Sequence, residues 1–196
     1  LIQTIEETFP SPKRDVKGSA LMFIARSFDI NKPGTSALKI VGGVIGGALK
    51  RGSVKKGEAI EIRPGRKVER EGKITWIPLT ARIEGIKTGT DDLLSAQPGA
   101  SIALLTSMDP SLVKSDSLTG MVVGHPGHLP EIYYELQLVP HLLQRVVGSE
   151  KDLHVEPIKK VENFMLNVNS STTVGIVTEL SKNFFTVRCI KSFHEF

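Results

Sequence analysis

The residues of this 196-residue chain best suited to chemistry are cations set beside glycine, and that chemistry is anion binding. They stand at Lys50-Arg51-Gly52 and Lys55-Lys56-Gly57, followed by Arg63, Arg66, Lys67 and Arg70. Cations at turns of a compact scaffold can contact phosphates, the main source of sequence-independent affinity for nucleic acid. A solvated turn face explains such clusters more readily than a phosphate track. The formal net charge of +4 agrees, since a protein that coats nucleic acid carries far denser basic runs.

Groups for catalysis do not gather in the same way. Glycines 42, 43, 46 and 47 superficially resemble a nucleotide loop. No Gly-x-x-x-x-Gly-Lys-Ser/Thr sequence exists, however, and no helix pattern follows to supply an N-terminal anion site. Of the five histidines, at 125, 128, 141, 154 and 194, the first two lie three apart with no third ligand nearby. They read as exposed linker histidines rather than as a metal pair. Asp91, Asp92 and Asp116 have no paired acid–base context, and no serine stands out as a nucleophile. The single cysteine, Cys189, excludes a disulfide framework and a thiolate cluster, which suits a reducing, cytoplasmic setting. The chain is therefore expected to bind rather than to catalyse.

The elements that must carry these residues are strands. Between Val41 and Ile62 apolar positions alternate in two runs, Val44 to Leu49 and Ala59 to Ile62, punctuated by glycine. That pattern is strand, tight turn, strand. Residues 20–30, 40–51, 58–63, 73–86, 100–105 and 118–123 read as strands, the fourth as one bent strand or two short ones around Pro78. Arg63-Pro64-Gly65-Arg66 reads as a turn. Phe23, Phe28, Val44, Ile60, Trp76 and Ile102 are the expected barrel packing. Gly124 to Pro130, with two prolines and two glycines beyond the last of these strands, reads as a linker. Beyond it residues 131–140, 161–168, 173–180 and 184–190 form four more strands, too few to close a barrel easily.

The expected organisation is the end of a helix and a linker over 1–18, a barrel over 19–124, a linker over 125–130 and a partial barrel over 131–196. The fold class is all-β, with two consecutive barrels, the second incomplete. No apolar run approaches the roughly 20 residues that span a bilayer, so no membrane is expected. Leu1 to Phe9 lacks a basic segment before an apolar one, and the Leu start suggests a piece of something longer.

The segment Gly42 to Ile62 resembles the second-domain strand pair of the translational GTPases, through Gly-x-Val-x-x-Gly-x-x-x-x-Gly-x-x-Lys-x-Gly-Glu. The flanks sharpen the likeness: Arg26 to Gly34 (RSFDINKPG), Met108 to Leu112 (MDPSL) and Val122 to Gly127 (VVGHPG). Arg145 to Gly148 (RVVG), Val155 to Lys159 (VEPIK) and Leu166 to Val168 add to it. Together they resemble the gamma-subunit family of archaeal and eukaryotic translation initiation factor 2, nearer its archaeal form.

That resemblance implies two barrels of the translational-GTPase type, without the GTPase domain that precedes them. The full-length factor would hold GTP and magnesium and hydrolyse GTP; this piece should bind no cofactor and turn nothing over. Asn31-Lys32 sits in Asn-Lys-Pro-Gly, the wrong context for reading guanine. The implied partners are the alpha subunit and initiator methionyl-tRNA, with the beta subunit and the small ribosomal subunit reached through the full-length factor. By the same likeness Lys114 falls where a cation approaches the tRNA 5′ end, with Arg26 and Arg51 toward the acceptor stem. Asn31, Lys32, Pro33 and Gly34 would contact the alpha subunit, Pro33 and Gly34 shaping the loop and Lys32 anchoring it. The alternative is a tRNA-binding barrel of a related elongation or selenocysteine-specific factor.

Overall fold

The computed structural model describes residues 1–10, 12–71, 73–143 and 155–194, which form two compact units, 1–129 and 130–196. A short helix, α1 (Ile2–Thr8), opens the first unit with every residue exposed. Nine strands follow: β1 (Leu21–Phe28), β2 (Val44–Arg51), β3 (Val54–Lys55), β4 (Ala59–Arg70), β5 (Lys73–Thr88), β6 (Asp91–Leu93), β7 (Ser95–Ala96), β8 (Ser101–Thr106) and β9 (Val122–Gly124). The order β4-β9-β1-β2-β8-β5 returns to β4 through a β4–β5 pairing, which closes a six-stranded antiparallel barrel. β6 extends β5 outside the ring, and β3 pairs with β7.

Alternation fills the barrel. Met22, Ile24, Ile45, Ile60, Ile62, Ile83, Ile86 and Leu104 point inward and are fully buried. At up to about 25 cal/mol per Å² of apolar surface removed from water, such a cluster is the main favourable contribution to the unit. Val44, Ile60 and Ile102 are buried as expected, and Trp76 is half-buried. Phe23 packs with Leu21, Val122 and Leu129 in a separate cluster. Phe28 does not belong to the core: it ends β1 at the barrel mouth and is 39% exposed.

Gly47 shows why glycine punctuates β2. A Cβ there would lie 1.9 Å from the Phe23 carbonyl oxygen of β1. The neighbouring strand therefore approaches more closely than any side chain permits.

Three expectations are corrected. Arg63-Pro64-Gly65-Arg66 is no turn; it is an irregularity inside β4, where the register with β5 jumps from Ile62↔Leu79 to Arg66↔Ile77. A bulge with two extra residues on β4 absorbs proline and glycine without ending the strand. The strand at 118–123 shrinks to Val122–Gly124, because the preceding residues form 3₁₀ turns and loop backbone stitched onto β1. Gly120 donates to the Ile24 carbonyl at 2.9 Å, and Ile24 donates to the Met121 carbonyl at 2.9 Å.

The stretch 125–129 is not a free linker either. Glu61, 7% exposed, accepts from the Gly127 amide at 2.9 Å and pairs with Arg63, whose guanidinium donates to the Leu129 carbonyl at 3.3 Å. His125 is half-buried with Nε2 3.3 Å from Glu58 Oε2, so it is no exposed histidine. Burial pushes the Glu61 carboxyl up, but the Gly127 amide and the Arg63 guanidinium outweigh it and hold the group below the usual glutamate range.

In the second unit β10 (Ile132–Leu138), β11 (Asn163–Val168), β12 (Ser171–Leu180) and β13 (Phe185–His194) form one antiparallel sheet in the order β10-β13-β12-β11. Its buried face carries Val177, Phe185, Val187 and Cys189, with Phe164 and Phe185 ring centroids 6.1 Å apart. Burial pushes the Cys189 thiol up, so it packs as a small apolar group. The outer strands β10 and β11 have no further partner among the described residues. His154 and Arg145 to Gly148 lie outside the described residues.

Three substitutions test this account. Gly47→Ala is expected to lower stability by roughly 1–3 kcal/mol or more, read as a drop in the urea midpoint. Gly46→Ala, with its nearest atom 3.8 Å away, should leave that midpoint nearly unchanged. Glu61→Gln should cost about 1–3 kcal/mol and expose 125–130 to limited proteolysis; unchanged protection would refute the anchoring of that segment.

Candidate functional site

Two loops meet at one mouth of the barrel. The first leaves β1 and spans 29–43; the second leaves β8 and spans 107–121. Because β1 pairs with both β2 and β9, and β2 with β8, both loops emerge on the same end. Between them lies a cleft of about 680 Å³ lined in part by Asp29, Asn31, Val41, Met108, Asp109 and Lys114.

Asn31 closes the base of the first loop. Its side-chain oxygen accepts from the Val41 amide at 2.9 Å, and Nδ2 donates to the Val41 carbonyl at 2.8 Å. Nδ2 also donates to Asp29 Oδ1 at 2.7 Å, which accepts the Asn31 amide at 2.8 Å. An amide side chain thus imitates one rung of a strand pair, leaving no free donor for a partner. At the apex Pro33 and Gly34 occupy the middle of a turn, with Gly34 at φ +81 and the Thr35 amide donating to the Lys32 carbonyl at 3.1 Å. Proline followed by a left-handed glycine is the type II arrangement. Lys32, Pro33 and Gly34 are exposed, and Leu38 is 98% exposed, with Ile40 and Val41 beside it.

Asp116 organises the second loop. Its Oδ1 accepts from Arg26 Nε and from the Ser27 amide, both at 2.9 Å. Ser115 and Asp116 both hold positive φ, at 54 and 57. Non-glycine residues there are strained, and the Asp116 contacts over-determine that shape. Ser27 Oγ accepts the Leu118 amide at 3.1 Å, fastening the loop to β1 a second time.

The geometry sorts the residues expected to act. Lys114 and Arg26 come to the same mouth, and each already faces an acid: Lys114 Nζ lies 3.7 Å from Asp29 Oδ2, and Arg26 pairs with Asp116. The Arg26 contacts to Asp116 use Nε, not the terminal nitrogens. Arg51 stands apart, at the far end of β1–β2 opposite Leu21, whereas Arg26 lies opposite Gly46. Five residues of strand put these positions roughly 17 Å apart. Asn31 spends its side-chain hydrogen bonds on the loop base. Asp29 and Asp116 were not singled out for these roles. The signal for Asp29 was the Asp-x-Asn spacing, which builds a local turn; for Asp116, 90 residues from Arg26, there was none.

Hydrogen bonds set the acidity of the mouth. Asp29 lies below the ordinary aspartate range chiefly through the Asn31 amide and side chain, with Lys114 adding to it. Asp116 lies below it through Arg26 and the Ser27 amide. Among the described residues no three His, Cys, Asp or Glu side chains converge as a metal site needs, and no helix is long and apolar enough to cross a membrane.

Comparison with known proteins decides the lineage. The translation initiation factor 2 subunit gamma of Methanothermobacter thermautotrophicus is 48% identical over 177 residues, 90% of this chain and 43% of that protein. The chain belongs to the translation initiation factor 2 gamma-subunit family. The Pyrococcus furiosus gamma subunit is 46% identical over 183 residues, 93% of this chain and 44% of its own length. The family description "Initiation factor eIF2 gamma, C terminal" matches residues 134–192, within the second unit. The chain thus spans less than half the length of these gamma-subunit relatives. A bacterial selenocysteine-specific elongation factor, EF-Sec, shares the fold, with a TM-score of 0.67 and 18% identity over 99% of this chain and 26% of that one.

Acid should loosen this mouth first. Both aspartates are lowered on folding, so their stabilisation is complete above the ordinary value of 3.8 and is lost as pH falls through their lower folded-state values. Hydrogen-exchange protection of the Ser27 amide, relative to its intrinsic rate at each pH, should fall below about pH 4 before that of the barrel core. Asp116→Asn should remove most of that pH dependence; an Asp116→Asn profile identical to the parent would refute the role of the carboxylate.

Proposed function

We propose that this chain is the portion of a gamma subunit that docks the alpha subunit and contributes to holding initiator methionyl-tRNA. GTP and magnesium would be handled by residues outside it, and the chain by itself would hydrolyse no GTP. Delivery to the small ribosomal subunit, and contact with the beta subunit, would belong to the full-length factor.

The observation that carries this reading is the 29–43 loop. Its base is tied by Asn31 to Val41, while beyond that tie it presents Lys32 and the exposed apolar Leu38 and Ile40. A partner that covers Leu38 gains apolar burial, and the closed base lowers the ordering cost of binding. Lys32 adds a cation that can select an acidic counterpart. Pro33 and Gly34 set the turn and need not touch the partner.

For tRNA, the second loop offers Lys114 and the terminal nitrogens of Arg26 at one mouth. Their acidic neighbours temper the net attraction and hold both side chains in place. Single-stranded acceptor ends are read by pockets and stacking as well as by charge, which suits a cleft flanked by cations. Arg51, at the opposite end of the hairpin, would not share that contact.

Titration calorimetry of the chain with isolated alpha subunit, without nucleotide, tests the docking. Binding should be one-to-one, and Leu38→Asp should weaken it roughly tenfold or more. Lys32→Glu should weaken it with a shallower salt dependence than the parent. Absence of binding by the folded parent, or unchanged binding by both variants, would overturn the assignment.

A further inference from the structure

One side of the barrel carries no acid. β9, β1, β2 and β8 are neighbours in the sheet, and none of them contains Asp or Glu. Their charged side chains are Arg26, Lys50 and Arg51, all exposed. β4, β5 and β6, which complete the sheet, hold Glu61, Glu69, Glu84, Asp91 and Asp92. The barrel wall is thus electrically one-sided.

Further cations are fastened to the end of that wall away from the loop mouth. The Asp15 carbonyl accepts the Gly52 amide at 2.7 Å, just past the end of β2. Asp15 Oδ1 accepts the Lys17 and Gly18 amides at 3.1 and 2.9 Å, which folds the segment into a tight turn. Gly52, at φ +73, permits the contact, because a Cβ there would lie 2.5 Å from the Gly18 carbonyl oxygen. Arg14 lies over Gly99, before β8, with Nη1 3.1 Å from where a Cβ would sit. This strap brings Arg14 and Lys17 to the end of the wall that carries Lys50 and Arg51. All four cations are exposed and make no ion pair among the described residues.

The side chains on the wall decide what it suits. Arg26 at the mouth and Arg51 at the far end are separated by roughly 17 Å of strand. Along β2 the residues between them alternate, with Ile45, Gly47 and Leu49 buried and Gly46, Ala48 and Lys50 outward. Away from Phe28 at the mouth, these strands expose no large apolar side chain. A protein partner would need aromatic or apolar anchors that this wall lacks. A phosphate backbone needs cations and the absence of acids, and the wall supplies both.

We infer that the acid-free wall of β1, β2 and β8, with the Arg14–Lys17 strap at its end, docks the phosphate backbone of the RNA stem whose single-stranded end sits at the loop mouth. The inference rests on the reading of the mouth as a tRNA contact, and adds the direction in which the RNA leaves it. Phosphates recur every few ångströms along a nucleic-acid strand, so one stem reaches from Arg26 to Arg51 and the strap. Recognition is of backbone and shape, as double-stranded RNA allows.

Fluorescence anisotropy over a salt series tests this with two RNAs, a hairpin carrying a single-stranded 3′ end and the same hairpin made blunt. Arg14→Glu/Lys17→Glu/Arg51→Glu should weaken binding of both by roughly tenfold or more at low salt. The slope of log K against log salt should flatten by about 2–3. The same three changes to Gln, checked for an unchanged melting curve, should weaken both RNAs in the same sense. Lys114→Glu should weaken the tailed hairpin more than the blunt one. Arg66→Glu/Lys67→Glu on β4, outside the wall, should cost under about threefold. If the triple variants bind both hairpins as the parent does while Lys114→Glu weakens the tailed one, the wall is overturned and the mouth stands. If the parent binds the two hairpins equally and Lys114→Glu costs nothing, the mouth reading fails and the continuity proposed here fails with it. Absence of binding by the parent overturns both. A β4 double variant as costly as the triple would reduce the effect to net charge and overturn the wall. Preference for poly-glutamate over either hairpin would also overturn it, and would assign the wall to an acidic protein.

Discussion

Everything at the loop mouth depends on three residues of β9. Val122, Val123 and Gly124 pair with Leu21 to Phe23 of β1 on one side and with Glu61 to Arg63 of β4 on the other. Without that wedge the ring would be an open sheet with two edges, and β1 and β4 would each expose unpaired backbone. Gly124 is forced by the same closeness, since a Cβ there would meet the Ala20 carbonyl at 2.3 Å. Closure then dictates where the chain can go. From β8 it must cross the barrel end to reach β9, and the crossing is the 107–121 loop that carries Lys114 and Asp116.

The mouth shows a division of labour between tied and untied charge. Asp29 and Asp116 hold loop backbone with one set of oxygens and face cations with the same groups. Exposed ion pairs of this kind contribute little by attraction alone. Their value is geometric: they keep two long, irregular loops in one conformation without an apolar core beneath them. The Lys32 and Leu38 apex makes no ion pair among the described residues. In a protein of net charge +4, local pairing rather than total charge decides which of the described cations face solvent alone.

The second unit follows different logic. A four-stranded sheet with one apolar face buries Val177, Phe185 and Val187 but leaves Met165, Val174 and Ile176 on the exposed side. Alternation with period two explains both faces from the same strands. In the first unit closure turns one face of the sheet entirely inward, while on the outer face Leu21, Phe23 and Val122 pack with Leu129.

The all-β class, the strand-rich Gly-punctuated hairpin and the family motifs were legible in the chain because they are local: alternation, turn residues and short spacings. Val44, Ile60 and Ile102 declared their burial by the same rule. What the sequence alone could not determine was long-range. The Glu61–Arg63–Gly127 tie spans more than 60 residues, so a stretch rich in Pro and Gly looked like a linker although the barrel anchors it. Arg63 to Arg66 resembled a turn because local chemistry there allows one, yet pairing with β5 carried the strand through. Arg26 and Asp116 meet only because β9 closes the ring, and Arg51 leaves their company because strand length separates it. Residue type decided which groups could carry charge; the closed barrel decided which of them stand together, and which stand free, because only closure brings distant segments within hydrogen-bonding reach.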